Sequence, residues 1–200
     1  MTDDTDHTEK MKALQAEQRK KTEAAREPDR GLVLVHTGNG KGKSSSAFGV
    51  IARALGWGQK VGVVQFIKGK WITGERQFFS KFPDQLVWHT MGEGFTWDTQ
   101  DKARDIAAAE AAFARATEMM ASGAHDLVVL DEINIAMRYD YLSTEAVLNS
   151  LKARADQTSV ILTGRDAKPE LCDHADLVSE MVEIKHPFKA GLKAKRGVDF

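Results

Sequence analysis

Short apolar runs alternate with longer stretches of helical periodicity from Gly31 onward. The runs are rich in Val, Ile and Leu with little polar alternation, which is typical of parallel strands covered on both faces. We predict six strands, over residues 32–35, 61–67, 86–90, 127–130, 160–163 and 177–184. This alternation of strands and helices predicts an α/β fold, with helices on both faces of a mostly parallel sheet.

Two helices are marked by their apolar spacing and by their end signals. A long helix is predicted over residues 99–122, with Gly123 as a left-handed C-cap. Its apolar stripe recurs every three or four residues, at Ile106, Ala109, Phe113, Ala116 and Met120. A second helix begins at Ser143 as N-cap, with Glu145 in its positive first turn. Its expected buried residues are Val147, Leu148 and Leu151.

The first thirty residues differ from the rest of the chain. They contain eight acidic and seven basic side chains and few apolar ones, so this segment cannot bury enough surface to order itself alone. Its Ala, Glu, Lys, Gln and Arg content still favours a helix. Residues 1–30 are therefore either a helix that needs a partner surface or a disordered tail. Residues 31–200 form the folded domain, which ends in a basic tail over 185–200.

Composition and charge restrict the class of protein. A chain of 200 residues suits one domain, and 42% hydrophobic residues exclude a chain that is disordered or collagen-like throughout. A formal charge of −1 gives no sign of nucleic acid or an anionic membrane as partner. The sequence has no apolar run near the roughly 20 residues that a bilayer needs, and no signal peptide. The single cysteine, Cys172, excludes an intrachain disulfide. We expect a cytoplasmic enzyme or binding protein.

The most specific motif is TGNGKGKS at residues 37–44, between the first strand and a helix-competent segment over 47–55. Glycines allow positive φ and turn backbone N–H groups toward an anion, while the following helix directs its positive end there. Lys43 can reach phosphates and Ser44 can ligate Mg²⁺. The alternative is a glycine-rich turn with incidental lysines. The expected ATP-binding residues are Thr37, Gly38, Asn39, Gly40, Lys41, Gly42, Lys43, Ser44 and Ser45.

Two further strand ends carry charged side chains toward the same edge of the sheet. Asp131 follows four apolar residues, which places a carboxylate beside the magnesium of a phosphate-loop protein. Glu132 comes next, where many ATPases orient the attacking water. Arg165 follows the fifth strand and can neutralise phosphate. The alternative for Arg165 is a surface side chain paired with Asp166.

Residues 91–101 form a loop between the third strand and the long helix, at the rim where open α/β sheets bind ligands. Phe95 and Trp97 are costly to expose to water. They either pack into the hydrophobic core beneath the loop or line the binding site of a flat, largely apolar substrate. The six histidines show no metal-ligand spacing.

Taken together, these segments resemble the phosphate-loop corrinoid adenosyltransferases over nearly the whole chain. The stretches that carry the resemblance are GNGKGKSS at 38–45, VGVVQFIKG at 61–69, GFTWDTQ at 94–100, LDE at 130–132, YDYL at 139–142 and TGR at 163–165. Of these, GFTWDTQ is far more discriminating than the phosphate loop. The resemblance implies a three-layer RecA-like P-loop fold, with the fifth strand between the first and the fourth.

The resemblance also implies an activity: transfer of the 5′-deoxyadenosyl group of ATP to the cobalt of a reduced cob(I) corrinoid, with release of tripolyphosphate, in adenosylcobalamin biosynthesis or salvage. Magnesium would be held by Ser44 and Asp131. The implied catalytic residues are Lys43, Glu132, Phe95 and Trp97. Family members are commonly homodimers whose N-terminal segment orders over the corrinoid, and an electron donor such as a reduced flavodoxin or a flavin reductase is implied.

This reaction requires no general base, because cob(I) is already a strong nucleophile without a proton to remove. Attack on the 5′-carbon makes the triphosphate the leaving group, so the nucleotide should lie reversed in the loop. The main rival is a phosphate-loop ATPase or kinase that acts on another small molecule, with Glu132 orienting water. A second rival is a non-catalytic nucleotide-sensing or nucleic-acid-binding module that uses the basic tail, although the near-neutral charge argues against nucleic acid.

Phe95 and Trp97 are expected to act during reduction of the corrinoid. An axial ligand donates electron density to cob(II) and makes it hard to reduce, and the resemblance implies that these aromatics close the corrinoid's lower face. Phe95→Ala and Trp97→Ala should therefore slow turnover from cob(II) with a protein reductant far more than turnover from prereduced cob(I). Equal losses in the two assays would remove this role.

Overall fold

The computed structural model describes residues 2–67, 73–90 and 102–199, with side chains described from residue 7 onward. The strands are β1 (Val33–Thr37), β2 (Val61–Gln65), β3 (Leu86–Thr90), β4 (Leu127–Asp131), β5 (Ser159–Thr163) and β6 (Leu177–Glu180). The α-helices are α1 (Thr2–Ala24), α2 (Lys43–Gly56), α3 (Gly74–Phe79), α4 (Lys102–Ala121), α5 (Ile133–Arg138), α6 (Thr144–Lys152) and α7 (Pro169–His174). A short 3₁₀ helix covers Pro187–Ala190.

The described strands form one six-stranded sheet in the order β3-β2-β4-β5-β1-β6, and every neighbouring pair is parallel. This confirms the expected position of the fifth strand between the first and the fourth. The register pairs His36 with Thr163 and Leu130 with Leu162. The carboxyl ends of β1, β4 and β5 therefore lie side by side at one edge of the sheet.

Helices cover both faces of the sheet, in the three layers that the resemblance implied. On one face, α2 and α3 pack against alternate strand residues, with Ile51 and Phe79 buried against Val63 and Val129. On the other face, α4, α5, α6 and α7 pack against the remaining strand positions around Leu130. The central strand β4 is buried along its whole length, because it has helices on both faces and strands on both sides.

Both helices singled out by periodicity are present. Ser143 accepts a hydrogen bond from the Ala146 N–H at 3.1 Å, which confirms it as the N-cap of α6. Gly123 adopts the left-handed conformation, with φ of 66°, just after α4. The buried positions of α4 are Ala109, Ala112, Ala116, Met119 and Met120.

The structure differs from the sequence prediction at element ends and in the short helices. Strand β6 ends at Glu180 rather than at residue 184, and most of its residues are exposed because it is an edge strand. Strand β2 ends at Gln65 rather than at residue 67. The short helices α3 and α5 have too few turns for an apolar period to identify them.

Helix α1 covers residues 2–24 of the charged segment. Every described side chain of α1 is exposed, as expected for a helix without an apolar stripe. No helix among the described residues combines the length and apolar character needed to cross a membrane.

Candidate functional site

A cavity of about 550 Å³ opens at the carboxyl ends of the strands, beside the N-terminus of α2. It brings together residues from three of the predicted site segments. The lining residues from those segments are Ser44, Ser45, Asp131, Glu132 and Arg165. Gln65, Thr73, Arg138 and Asp199 also line it, and sequence reasoning assigned no role to these four in the site. Its polar, charged wall suits a phosphorylated ligand.

The phosphate loop uses its glycines for two different reasons. Gly38 and Gly42 adopt positive φ, at 94° and 113°, which side chains rarely tolerate. Gly40 instead packs against the backbone after β6, where a Cβ would lie 2.8 Å from the Met181 carbonyl oxygen. Its N–H donates to that oxygen at 2.6 Å, so this amide faces Met181. The segment after β6 therefore supports the loop from behind.

Lys43 is buried at the first position of α2. Its Nζ donates to the Gly40 carbonyl at 2.7 Å, so the ammonium folds back over the loop. Burial lowers the pKa of Lys43, and the nearby Glu132 carboxyl partly opposes this effect. Lys43 is thus a desolvated cation whose nearest described partner is a neutral carbonyl.

Asp131 ends β4 as a buried carboxylate held by two neutral donors. Its Oδ1 accepts from the Thr163 hydroxyl at 2.8 Å, and its Oδ2 accepts from the Gln65 side-chain amide at 3.0 Å. Neither donor neutralises the carboxylate, so its negative charge remains available to a cation in the cavity.

The donor set fits magnesium bound together with a nucleotide. The described residues contain no cluster of three or more acidic, His or Cys side chains arranged around a metal. Mg²⁺ commonly binds through one or two carboxylates plus phosphate oxygens and waters. Asp131 and the Ser44 hydroxyl, which line the same cavity, match that pattern.

Glu132 has an unusual backbone conformation and a raised pKa. Its φ of 62° is left-handed, which is uncommon for a residue other than glycine. Its pKa is raised to about 7, mainly by burial and also by the Asp131 carboxylate, while Lys43 and Arg165 oppose the rise. The carboxyl therefore changes charge near neutral pH.

Arg165 lies on the cavity wall, and the neighbouring Asp166 pairs with Arg138 at 2.8 Å. Asp166 is therefore paired with Arg138, and the phosphate-binding role of Arg165 stays a prediction. Lys41 forms an ion pair with Asp199, whose carboxylate also accepts from the Lys195 N–H. The C-terminal turn thus reaches the phosphate loop, a contact across 158 residues that no local pattern signals.

The remaining predicted site residues have separate positions. The Thr37 hydroxyl accepts from the Ala167 N–H at 3.0 Å and so ties the loop to the segment after β5. Asn39 is exposed on the loop. Phe95 and Trp97 lie outside the described residues, so their assignment stays a prediction.

Comparisons with known proteins identify the family of this chain. The model of the family described as ATP:corrinoid adenosyltransferase BtuR/CobO/CobP matches residues 29–200. A corrinoid adenosyltransferase of Pseudomonas aeruginosa is 54% identical over 197 residues, covering 98% of this chain and 97% of that protein. One from a Sinorhizobium species is 49% identical over 99% of this chain and 93% of its own. The corrinoid adenosyltransferase CobA of Salmonella typhimurium is 46% identical over 88% of this chain and 89% of its own.

Glu132 should make stability depend on pH in the absence of nucleotide and metal. Its folded-state pKa of about 7 lies above its ordinary value of 4.5, so the folded state binds the proton more tightly. This contribution is complete below pH 4.5 and is lost as the pH rises through 7. Glu132→Gln should therefore gain about 1–3 kcal/mol of unfolding free energy over wild type at pH 8 and little at pH 4.

Urea unfolding at the two pH values measures this difference. Glu110→Gln, at an exposed position of α4, is the matched control and should follow the wild-type profile. A Glu132→Gln profile parallel to that of wild type would contradict the raised pKa.

Asp199 should weaken nucleotide binding, because it neutralises Lys41 and adds negative charge beside the phosphate loop. Asp199→Asn should raise the affinity for ATP a few-fold in low salt, an effect that salt reduces. Glu183→Gln removes another tail ion pair, with Lys189, whose residues do not line the cavity, and it should leave affinity unchanged. Weaker ATP binding by Asp199→Asn would show instead that the turn supports the site.

Proposed function

The chain belongs to the ATP:corrinoid adenosyltransferase family BtuR/CobO/CobP, and we propose that its cavity transfers the 5′-deoxyadenosyl group of ATP to the cobalt of a cob(I) corrinoid. One observation carries the assignment of the site. Ser44 and Ser45 at the start of α2, Arg165 after β5 and the Asp131 carboxylate line one cavity, and the desolvated Lys43 directly precedes Ser44. This pattern suits stabilisation of a polyphosphate leaving group.

The transfer needs neither a general acid nor a general base, because no proton is gained or lost. The electron pair of cob(I) forms the cobalt–carbon bond at the 5′-carbon while the bond from that carbon to the α-phosphate oxygen breaks. The electron pair of that bond leaves on tripolyphosphate. The protein must hold the two substrates in line and neutralise the charge that grows on the leaving group.

Lys43 at the first position of α2 and Arg165 on the cavity wall would supply this neutralisation. The Lys43 ammonium donates to the Gly40 carbonyl, a neutral partner that phosphate oxygens can replace. Magnesium held by Asp131 and Ser44 would neutralise further phosphate charge. Burial of Lys43 strengthens its attraction for phosphate, since water screens it less.

The direction of the nucleotide follows from the bond that breaks. A kinase must expose the γ-phosphate, whereas this transfer must expose the 5′-carbon. We therefore expect the γ end of ATP where an α-phosphate ordinarily rests, with the 5′-carbon toward the corrinoid. The homodimer, the ordering of residues 1–30 over the corrinoid and the reductase partner belong to the same proposal.

Glu132 supports the second candidate, a phosphate-loop ATPase or kinase. A carboxyl with a pKa of about 7 beside Lys43 is suited to accept a proton from water or a substrate hydroxyl. In the adenosyl transfer it has no proton to accept, and its protonated form removes a negative charge from beside the triphosphate. The two candidates give different products.

Product analysis under anaerobic conditions tests the function, with magnesium, ATP and chemically prereduced cobinamide. We expect tripolyphosphate and a light-sensitive adenosylated corrinoid in equal amounts. Lys43→Met should lower kcat/KM by about 100-fold or more, the usual cost of removing one charge-stabilising donor. Lys60→Met removes a lysine whose ammonium instead contacts the Asp84 carbonyl before β3, and it should retain activity. Formation of ADP and orthophosphate alone would establish the ATPase or kinase instead.

A further inference from the structure

We propose that Thr163 is a positioning residue that sets the orientation of both acidic side chains at the end of β4. This inference rests on the proposed function, because it takes Asp131 as the carboxylate that holds magnesium with ATP. Thr163 touches neither substrate in the proposal and acts through Asp131 and Glu132. Sequence reasoning placed this threonine only as the end of a strand.

A single hydroxyl serves two consecutive residues of the neighbouring strand. Thr163 is fully buried at the end of β5. Its Oγ1 donates to Asp131 Oδ1 at 2.8 Å and accepts from the Glu132 N–H at 2.9 Å. The proton of the hydroxyl therefore fixes the carboxylate of one acid, while its lone pair fixes the backbone of the next.

The bond to Glu132 explains how its left-handed backbone is maintained. The φ of 62° turns the chain sharply between β4 and α5 and directs Glu132 toward the cavity. Conformations of this kind persist where the surrounding structure enforces them, and they occur often at functional sites. Without the Thr163 oxygen, the Glu132 N–H would lose its described acceptor.

The neighbouring residues leave Thr163 little freedom to move. A Cβ on Gly164 would lie 2.9 Å from the Asn134 Cβ and 3.2 Å from Glu132 Oε2. Asn134 is buried and donates from its side chain to the Gly164 carbonyl at 3.0 Å. Helix α5 therefore packs tightly against the residue after Thr163, and the two hydrogen bonds of the Thr163 hydroxyl define its direction.

Loss of the hydroxyl should affect the metal-dependent part of nucleotide binding. Asp131 would keep only the Gln65 amide as its described donor, and its carboxylate could rotate away from a metal in the cavity. Residues that orient metal ligands typically contribute about 10–100-fold to metal affinity or activity. Binding of ATP through Lys43 and the loop amides does not involve Thr163.

The experiment compares three variants by ATP titration without corrinoid, once with magnesium and once with EDTA. Thr163→Val should weaken binding of magnesium–ATP about 10–100-fold and leave binding in EDTA nearly unchanged. Thr163→Ser keeps the hydroxyl and should remain close to wild type. Thr158→Val is the matched control. It removes another buried hydroxyl, which donates to the His125 carbonyl at the opposite edge of the sheet, and should leave both affinities unchanged.

Thermal unfolding of each variant separates positioning from stability, and we expect Thr163→Val and Thr158→Val to lower Tm by similar amounts. The inference is overturned if Thr163→Val loses affinity equally in EDTA, if it binds magnesium–ATP like Thr158→Val, or if Thr163→Ser fails to restore binding. The titration contains no corrinoid. A wild-type protein that forms only ADP and orthophosphate would therefore refute the proposed function without deciding the role of Thr163.

Discussion

The parallel pairing of β4, β5 and β1 is the constraint on which the site depends. Because the three strands run in one direction, Asp131, Thr163 and Thr37 end at the same edge of the sheet. The phosphate loop follows β1 there, and the segment after β6 supports its Gly40 from behind. Helix α2 then begins at Lys43 with its positive end beside the loop. An antiparallel partner in this position would remove one of these groups from the cavity.

Burial at this edge sets the balance of charges. Lys43 is desolvated and holds a neutral carbonyl, Asp131 is desolvated and holds two neutral donors, and the pKa of Glu132 rises to about 7. No ion pair among the described residues includes Lys43 or Asp131, although the Glu132 carboxyl lies near Lys43. A ligand that brings both phosphate and a divalent cation would supply the missing charges. ATP, a substrate of the family to which the chain belongs, carries a triphosphate.

The adenosyl transfer places unusual demands on such a site. It requires charge neutralisation and alignment, but no proton transfer, because the nucleophile is an electron pair on cobalt. Positioning residues such as Thr163 are then as important as the charged groups, since a displaced carboxylate would misplace the cation and the leaving group together. The acids and the loop are held by hydrogen bonds between strand ends, and these ends are fixed by the central sheet.

The sequence by itself determined the local features of this protein. Apolar runs identified the strands, and Ser143 and Gly123 marked helix ends. The phosphate loop and LDE at 130–132 predicted a nucleotide site, and together with GFTWDTQ at 94–100 they indicated the family that the comparisons show. These signals depend on the spacing of residues along the chain, because strands, helix ends and tight loops are formed by neighbouring residues. The tertiary structure alone placed Gln65 and Thr163 on Asp131, turned Gly40 toward Met181 and brought Asp199 to Lys41. These contacts join residues far apart in the chain, so no local pattern could reveal them. The raised pKa of Glu132 likewise depends on its burial in the folded protein.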